Sequence, residues 1–280
     1  MISRKTNDDF MKYILQPLLD WDLLEGAMLI AQQEYPKLKP GKYLTDVREM
    51  TRELGERMNG ASTREEKLDR YNRFFFEEMG FKGNREEYYD PRNSYVPDVM
   101  ERKTGIPIAL SVLYLHLGWK LKLPLYGINF PGHFLVAWKE EENPLYIDVF
   151  NEGQVLGQME LDALLKRSQG DKSNLQPAVH LRNAGVADIL HRVLANLKGL
   201  HVSKRQLERA LWAAEWMILL KSNDWESLRD KGMFCYSLRR LEEAEAALVQ
   251  YLDQVKKPRD FSKVWQVLYA IRAENPIRFN

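Results

Sequence analysis

The sequence predicts an α+β protein followed by an all-α second domain. Three observations carry that assignment: apolar spacing of three and four through the first eighty or so residues, a series of short β-prone runs from Leu123 to Phe150, and a return to helical spacing from about Asn183. At 280 residues the chain exceeds what one core of about 100–200 residues needs, so two units are expected, 1–176 and 177–280.

From Phe10 to about Met79 the apolar residues fall at helical spacing: Ile14 and Leu18, then Leu23, Leu24, Ala27, Leu29 and Ile30, then Leu44, Val47, Met50 and Leu54. Three or so amphipathic helices are expected. Pro36, Pro40 and Gly41 separate the first from the second, Gly60 to Thr63 the second from the third, and Ser62 with Glu65 reads as a capping box. Gly80 to Asn93 carries two glycines, two asparagines and Asp90-Pro91, the chemistry of an ordered loop, and its Tyr88 and Tyr89 call for a packing surface. A short helix from Ser94 to Lys103 follows. Ile108, Leu110, Val112, Leu113, Leu115 and Leu117 then leave almost no polar face, so this helix is central and buried, with Pro107 in its first turn where proline is best accepted.

The β-prone runs Leu123 to Phe130, Phe134 to Lys139 and Leu145 to Phe150 are punctuated by Pro131-Gly132 and Glu142-Asn143-Pro144, which predicts an antiparallel sheet with the buried helix against it. The polar stretch Ser168 to Pro177 is the expected boundary. Beyond it, Leu207-Glu208-Arg209-Ala210 is echoed 34 residues later by Leu241-Glu242-Glu243-Ala244, and Leu194 by Leu228 at the same offset. That period, with Ala210, Ala213, Ala244 and Ala247 where helices approach closely, is the tetratricopeptide signature; two repeats and a terminal helix, Phe261 to Ala273, complete a short stack.

Lys and Arg number 41 against 40 Asp and Glu, with both signs mixed along the chain, so a broad nucleic-acid-binding field is not expected. The single cysteine, Cys235, and five histidines form no metal-ligand spacing; neither metal nor cofactor is called for, and a reducing compartment is expected. The N-terminus lacks a secretory pattern. The most apolar stretch, Ile106 to Leu117, is interrupted by His116 and falls short of the ~20 residues that cross a bilayer. The expectation is a cytoplasmic protein that does not engage membranes.

Three points in the first unit form a candidate site: Pro107 at the start of the buried helix, His133 after Pro131-Gly132, and Asp148. If the loop from Glu140 to Asn143 closes a hairpin, Leu135 faces Asp148 and His133 becomes its diagonal neighbour at ~7–8 Å between backbones, within reach of a side-chain hydrogen bond. A carboxylate there fixes the imidazole tautomer, as in a nucleophile, base and orienter triad. The plainer reading is a structural histidine beside an aspartate that bonds turn amides.

The arrangement resembles the transglutaminase-like superfamily, and more closely its SirB family, bacterial proteins that join such a core to C-terminal tetratricopeptide repeats. The resemblance rests on Gly80-Phe81, Gly83-Asn84, Tyr89-Asp90-Pro91, Asn93-Ser94-Tyr95, Gly105-Ile106-Pro107-Ile108, Leu110 to Tyr114, Pro131 to Leu135 and Asp148-Val149-Phe150, and extends over about Asp22 to Arg272. It implies a papain-like core in which a cysteine opens the buried helix, with a histidine and an aspartate on successive strands. His133 and Asp148 match the latter two. Pro107 stands where the cysteine belongs, and proline supplies neither a thiol nor the backbone N–H that papain-like enzymes aim at the oxyanion.

Ser111, one turn further on and about 6 Å along the axis, is placed to miss the dyad and reads as a small residue that lets helix and sheet approach. Cys235 reads as a buried free thiol in the repeat domain. Asn84, Tyr89, Asn93 and Ser94 are the candidate binding residues; for Asn84, Asn93 and Ser94, capping and turn closure are the favoured roles and a pocket role the second. Lys204, Arg205, Glu208 and Arg209 form a solvated helix face. The sequence therefore points to a non-catalytic regulatory factor that takes a protein or peptide partner through its repeats. A hydrolase of amides or esters, using His133 and Asp148 on water, is the alternative; a ligand pocket without chemistry is the third.

Overall fold

Local chemistry sets the start of each helix that leads into the site. The computed structural model describes residues 4–140, 143–256 and 258–274. Helix α1 (Arg4–Ile14) is separated from α2 (Leu23–Glu34) by Pro17 and a short 3-10 turn, so four helices form where about three were expected. The side chain of Asp22 caps α2 by accepting from the N–H groups of Leu24 and Glu25. Pro40 enters the first turn of α3 (Pro40–Arg57) instead of breaking the chain, because its missing N–H costs nothing there. Helix α4 (Arg64–Asn72) starts from a capping box of Thr63 and Glu66, one residue later than the expected Ser62 and Glu65. Thr63 has the extended backbone, φ −94° and ψ 161°, that an N-cap needs, and Ser62 instead donates its N–H and hydroxyl to Glu66. A π-helical turn, Arg73–Glu78, follows and buries Phe74 and Phe75.

Two very short strands, β1 (Lys82–Gly83) and β2 (Thr104–Gly105), pair in parallel and flank α5 (Val96–Arg102). The expected helix from Ser94 is shorter, and Ser94 does not cap it: Tyr95 holds the N-cap position without a side-chain bond. Helix α6 (Pro107–Lys120) is buried at every position from Pro107 to Gly118 and packs on the sheet, as its apolar sequence demands.

Strands β3 (Leu125–Ile128), β4 (Leu135–Trp138), β5 (Leu145–Asp148), β6 (Gln154–Leu156) and β7 (Asn183–Ala184) form one antiparallel sheet in the order β6-β5-β4-β3-β7. The first three are the expected runs, trimmed at their ends. Of the expected turn at 142–144, Glu142 lies outside the described residues. Helix α7 (Gln158–Gln169), not anticipated, lays Leu161 and Leu165 against Ile128, Leu135 and Ala137 of the sheet. The single turn α8 (Pro177–His180) precedes β7.

Residues 183 and 184 were expected to open a purely helical domain. Instead they pair with Ile128 and Gly127, completing the sheet. The chain accordingly separates into compact units at Val193/Leu194, inside α9 (Val186–Ser203), and not at the polar stretch before Pro177. The second unit continues through α10 (Leu207–Leu220), α11 (Trp225–Ser237), α12 (Leu241–Gln254) and α13 (Phe261–Glu274). Its small residues Ala210, Ala213, Ala244 and Ala247 are all buried, which is the close helix approach the 34-residue echo required. No helix among the described residues is long and apolar enough to cross a membrane.

Candidate functional site

One end of the antiparallel β4–β5 pair, where β4 begins and β5 stops, carries the site. Phe130, Pro131, Gly132 and His133 form a tight turn in which the His133 N–H donates to the Phe130 carbonyl at 3.0 Å. Proline at its second position and glycine at its third, with φ +69°, make it a type II turn. A Cβ on Gly132 would also lie 2.6 Å from Cβ of Ser168, so glycine is needed twice over. The β4–β5 register pairs Val136 with Ile147, and one further step sets Leu135 against Asp148. His133 thus sits in the turn just before the strand, not on the strand, and its side chain still reaches Asp148.

The contact is short: Nε2 of His133 lies 2.9 Å from Oδ1 of Asp148. The carboxylate is only 1% exposed and the imidazole 13%, so solvent screens the pair little. Asp148 also ends β5 by capping a 3-10 turn, Val149–Asn151. Its Oδ1 accepts from the N–H groups of Phe150 at 3.1 Å and Asn151 at 3.2 Å, and its Oδ2 from the Asn151 side-chain amide at 2.5 Å. Burial pushes this carboxyl up, but the hydrogen bond and charge of His133, with the Asn151 donors, hold it below the ordinary aspartate value. Ionised Asp148 therefore accepts a hydrogen bond from Nε2–H, the tautomer that leaves the Nδ1 lone pair free. Both sequence readings of Asp148 hold together: it orients an imidazole and it ties turn amides.

The third position is empty of nucleophile chemistry. Pro107 opens α6 as its first residue and is buried. The hydroxyl of Ser111 is fully buried and has no hydrogen-bond partner. Cys235 lies in the second unit, packed with Leu211, Ala244 and Ile271, and burial pushes its thiol up, away from the thiolate.

The loop residues divide. Asn93 is fully buried and acts as the hub of the loop: its amide donates to the carbonyls of Glu87 at 2.6 Å and Tyr88 at 3.3 Å, while its Oδ1 accepts from Asn84 and Arg102. Asp90 caps the 3-10 turn Pro91–Asn93 by accepting from the Arg92 N–H, and α5 takes no side-chain cap from Asn93 or Ser94. Ser94 is buried, whereas Tyr89 is 77% exposed. Asn84 alone of these four lines a polar cleft of about 690 Å³, with Lys82, Arg85, Glu87, Phe150 and Asn151 among its walls. Gly83 also lines it, and a Cβ there would lie 2.6 Å from the Phe150 carbonyl.

Phe150 stands between that cleft and the imidazole. Its ring meets His133 edge-on at 6.2 Å and Tyr88 at 6.0 Å, and the Arg85 guanidinium lies 5.7 Å from its centre. The sequence reading also passed over Arg192 of α9, whose Nη2 donates to the His133 carbonyl at 3.3 Å. Nothing local marks it, since it sits 59 residues from His133 on a helix assigned to the repeats. Among the described residues no cluster of three or more His, Cys, Asp or Glu is placed to hold a metal ion.

Comparison with known proteins matches the first unit to the transglutaminase-like superfamily over residues 41–195 and the second to the tetratricopeptide repeat over residues 197–268. A UPF0162 protein of Xylella fastidiosa (strain 9a5c) is 35% identical over 238 residues, covering 82% of this chain and 83% of its own. A UPF0162 protein of Vibrio cholerae is 30% identical, covering 78% and 80%. The human F-box only protein 21 is 35% identical over 147 residues, which is 50% of this chain but 22% of that one. The ordered motifs, the helix-and-sheet core and the helical repeats agree with these matches: the chain belongs to the transglutaminase-like superfamily, in the SirB family that couples this core to tetratricopeptide repeats.

Proposed function

We propose that this protein is a non-catalytic transglutaminase-like factor that recognises a peptide or protein segment without cutting or joining it. One observation carries the reading: the nucleophile's place at the start of α6 is held by a buried proline. A thiol at a helix N-terminus beside an imidazole is the group the superfamily's chemistry requires, and proline removes both that sulfur and one oxyanion-facing N–H. Ser111 and Cys235 offer no replacement, the first with a sealed hydroxyl and the second in the other unit.

The tetratricopeptide unit supports a partner-binding role, since such repeats present extended faces to other proteins. Its α13 leaves Phe261, Trp265 and Tyr269 exposed at four-residue spacing, an apolar stripe of the kind that partners cover. The His133–Asp148 region, with its polar cleft, supplies amide and charged groups suited to a peptide chain. Cytoplasmic placement and a regulatory role complete the proposal.

The second reading, a hydrolase in which His133 draws a proton from water, is favoured by the intact 2.9 Å pair and the basic Nδ1 it leaves. A panel of amide and ester substrates separates the two. The expected result is no turnover by the full chain. Turnover that disappears in His133→Ala would replace the proposal with the hydrolase.

A further inference from the structure

Arg192 lacks the partner that its burial calls for. Its Nε is sealed from water without a hydrogen-bond partner, and Nη2 spends its donor on the His133 carbonyl at 3.3 Å. Other partly buried arginines behave differently: Arg64 faces Glu140, Arg102 faces Asp90, Arg229 faces Asp260 and Arg272 faces Glu245. No carboxylate pairs with Arg192 among the described residues, and burial pulls its guanidinium down from the ordinary arginine value. A desolvated guanidinium with an idle donor is costly, and its cost is offset only when an anion arrives.

We propose that Arg192 is the anchor for a ligand carboxylate, which it holds beside His133. The proposal rests on the peptide-recognition reading above and names the group that is recognised. A single carboxylate matches the single cation. A phosphate would bring a second charge close to ionised Asp148, which is bonded to the same histidine. Arginine suits this task because its planar fork fits a carboxylate with two donors. Tyr88 packs edge-on against Phe150, which in turn meets the His133 ring.

The test is a side-chain NMR titration of the full chain that follows the Arg192 Nε–H and His133 ring signals. Three probes are added: acetyl-tetraalanine as the free acid, the same peptide as its amide, and the amide with glutamate as last residue. The free acid is expected to shift both signals saturably and to bind about 10- to 100-fold more tightly than the amide. Binding by the glutamate peptide as well points to a side-chain carboxylate as source; binding by the free acid alone points to a chain end. Arg192→Gln is expected to abolish the preference for acid over amide.

Equal binding of acid and amide, or a preference that survives Arg192→Gln, overturns the anchor while leaving a peptide cleft in place. Saturable binding by none of the three overturns it as well. Neither result touches the non-catalytic reading, which the turnover panel decides separately. The wild-type comparison of acid with amide stands even where the variant fails to fold.

Discussion

Pro107→Cys installs a thiol at the start of α6, the place the proposed function takes for the missing nucleophile, and the structure sets what that thiol should do. An ordinary cysteine titrates near about 8.5. The N-terminus of α6, a helix of 14 residues, favours a thiolate by about 0.3–2 kcal/mol, and an imidazolium partner lowers a thiol by about one to three pH units. Together these bring the substituted thiol to about 4–7.3, raising the thiolate fraction at pH 7 from about 3% to a third or more. The stability cost is small, about 0.4–1 kcal/mol for the lost rigidity of proline. Ultraviolet absorbance of the thiolate, followed against pH, reads the titration directly and does not depend on reagent access to a buried position. Cys235, whose thiol burial pushes up, is subtracted by titrating the parent protein. Adding His133→Ala should return the midpoint toward about 8.5. A midpoint at or above that value, indifferent to His133→Ala, would show that the helix start and the imidazole do not face a common point, and the reasoning from Pro107 would fail.

Asp148→Ala strands four donors, on His133, Phe150 and Asn151, and should cost about 3–5 kcal/mol in urea unfolding; a loss under about 1 kcal/mol contradicts the described network. Because the folded carboxyl titrates below its unfolded value, its contribution is complete above about pH 4 and fades as pH falls toward the folded value. The alanine variant should lack that acid-side slope. Burial pulls His116 down, against the opposing charge of Asp22, so the fold holds it neutral. Its unfolded form takes up a proton near about pH 6.5, and stability should therefore decline as pH drops below that value until the folded histidine also protonates. His116→Gln should flatten this region in pH-dependent unfolding, and an unchanged slope refutes the assignment. Gly132→Ala forces a side chain into φ +69° and against Ser168; a loss of about 1–3 kcal/mol is expected in thermal unfolding, and none if the turn relaxes freely.

The parts of this structure that were legible in the sequence are those written in short-range signals. The apolar run after Pro107 allowed only a buried helix, and Pro131-Gly132 between two β-prone runs fixed the turn that presents His133. Closing the 140–143 loop as a hairpin then placed Leu135 opposite Asp148, the register that the pairing of Val136 with Ile147 continues. What stayed hidden depends on distance or on brevity. Strands β6 and β7 are three and two residues long, too short for any period to show, and the second moved the division between units past Arg192. Asn93 looked like a cap, because Asn before a helix usually is one; only the folded loop shows it tying down the carbonyls of Glu87 and Tyr88. Arg192 carries no local mark, since its significance lies in the acidic neighbour it lacks.

Asp148 belongs at once to a hydrogen-bonded pair with His133 and to the stitching of a strand end. A lineage that abandons the reaction is not thereby free to discard this side chain, because doing so would unpick the corner where two strands and a turn are knotted together. A histidine and aspartate at such a corner have an architectural reason to be there, and a survey that scores such pairs as proof of working enzymes will count scaffolds among them.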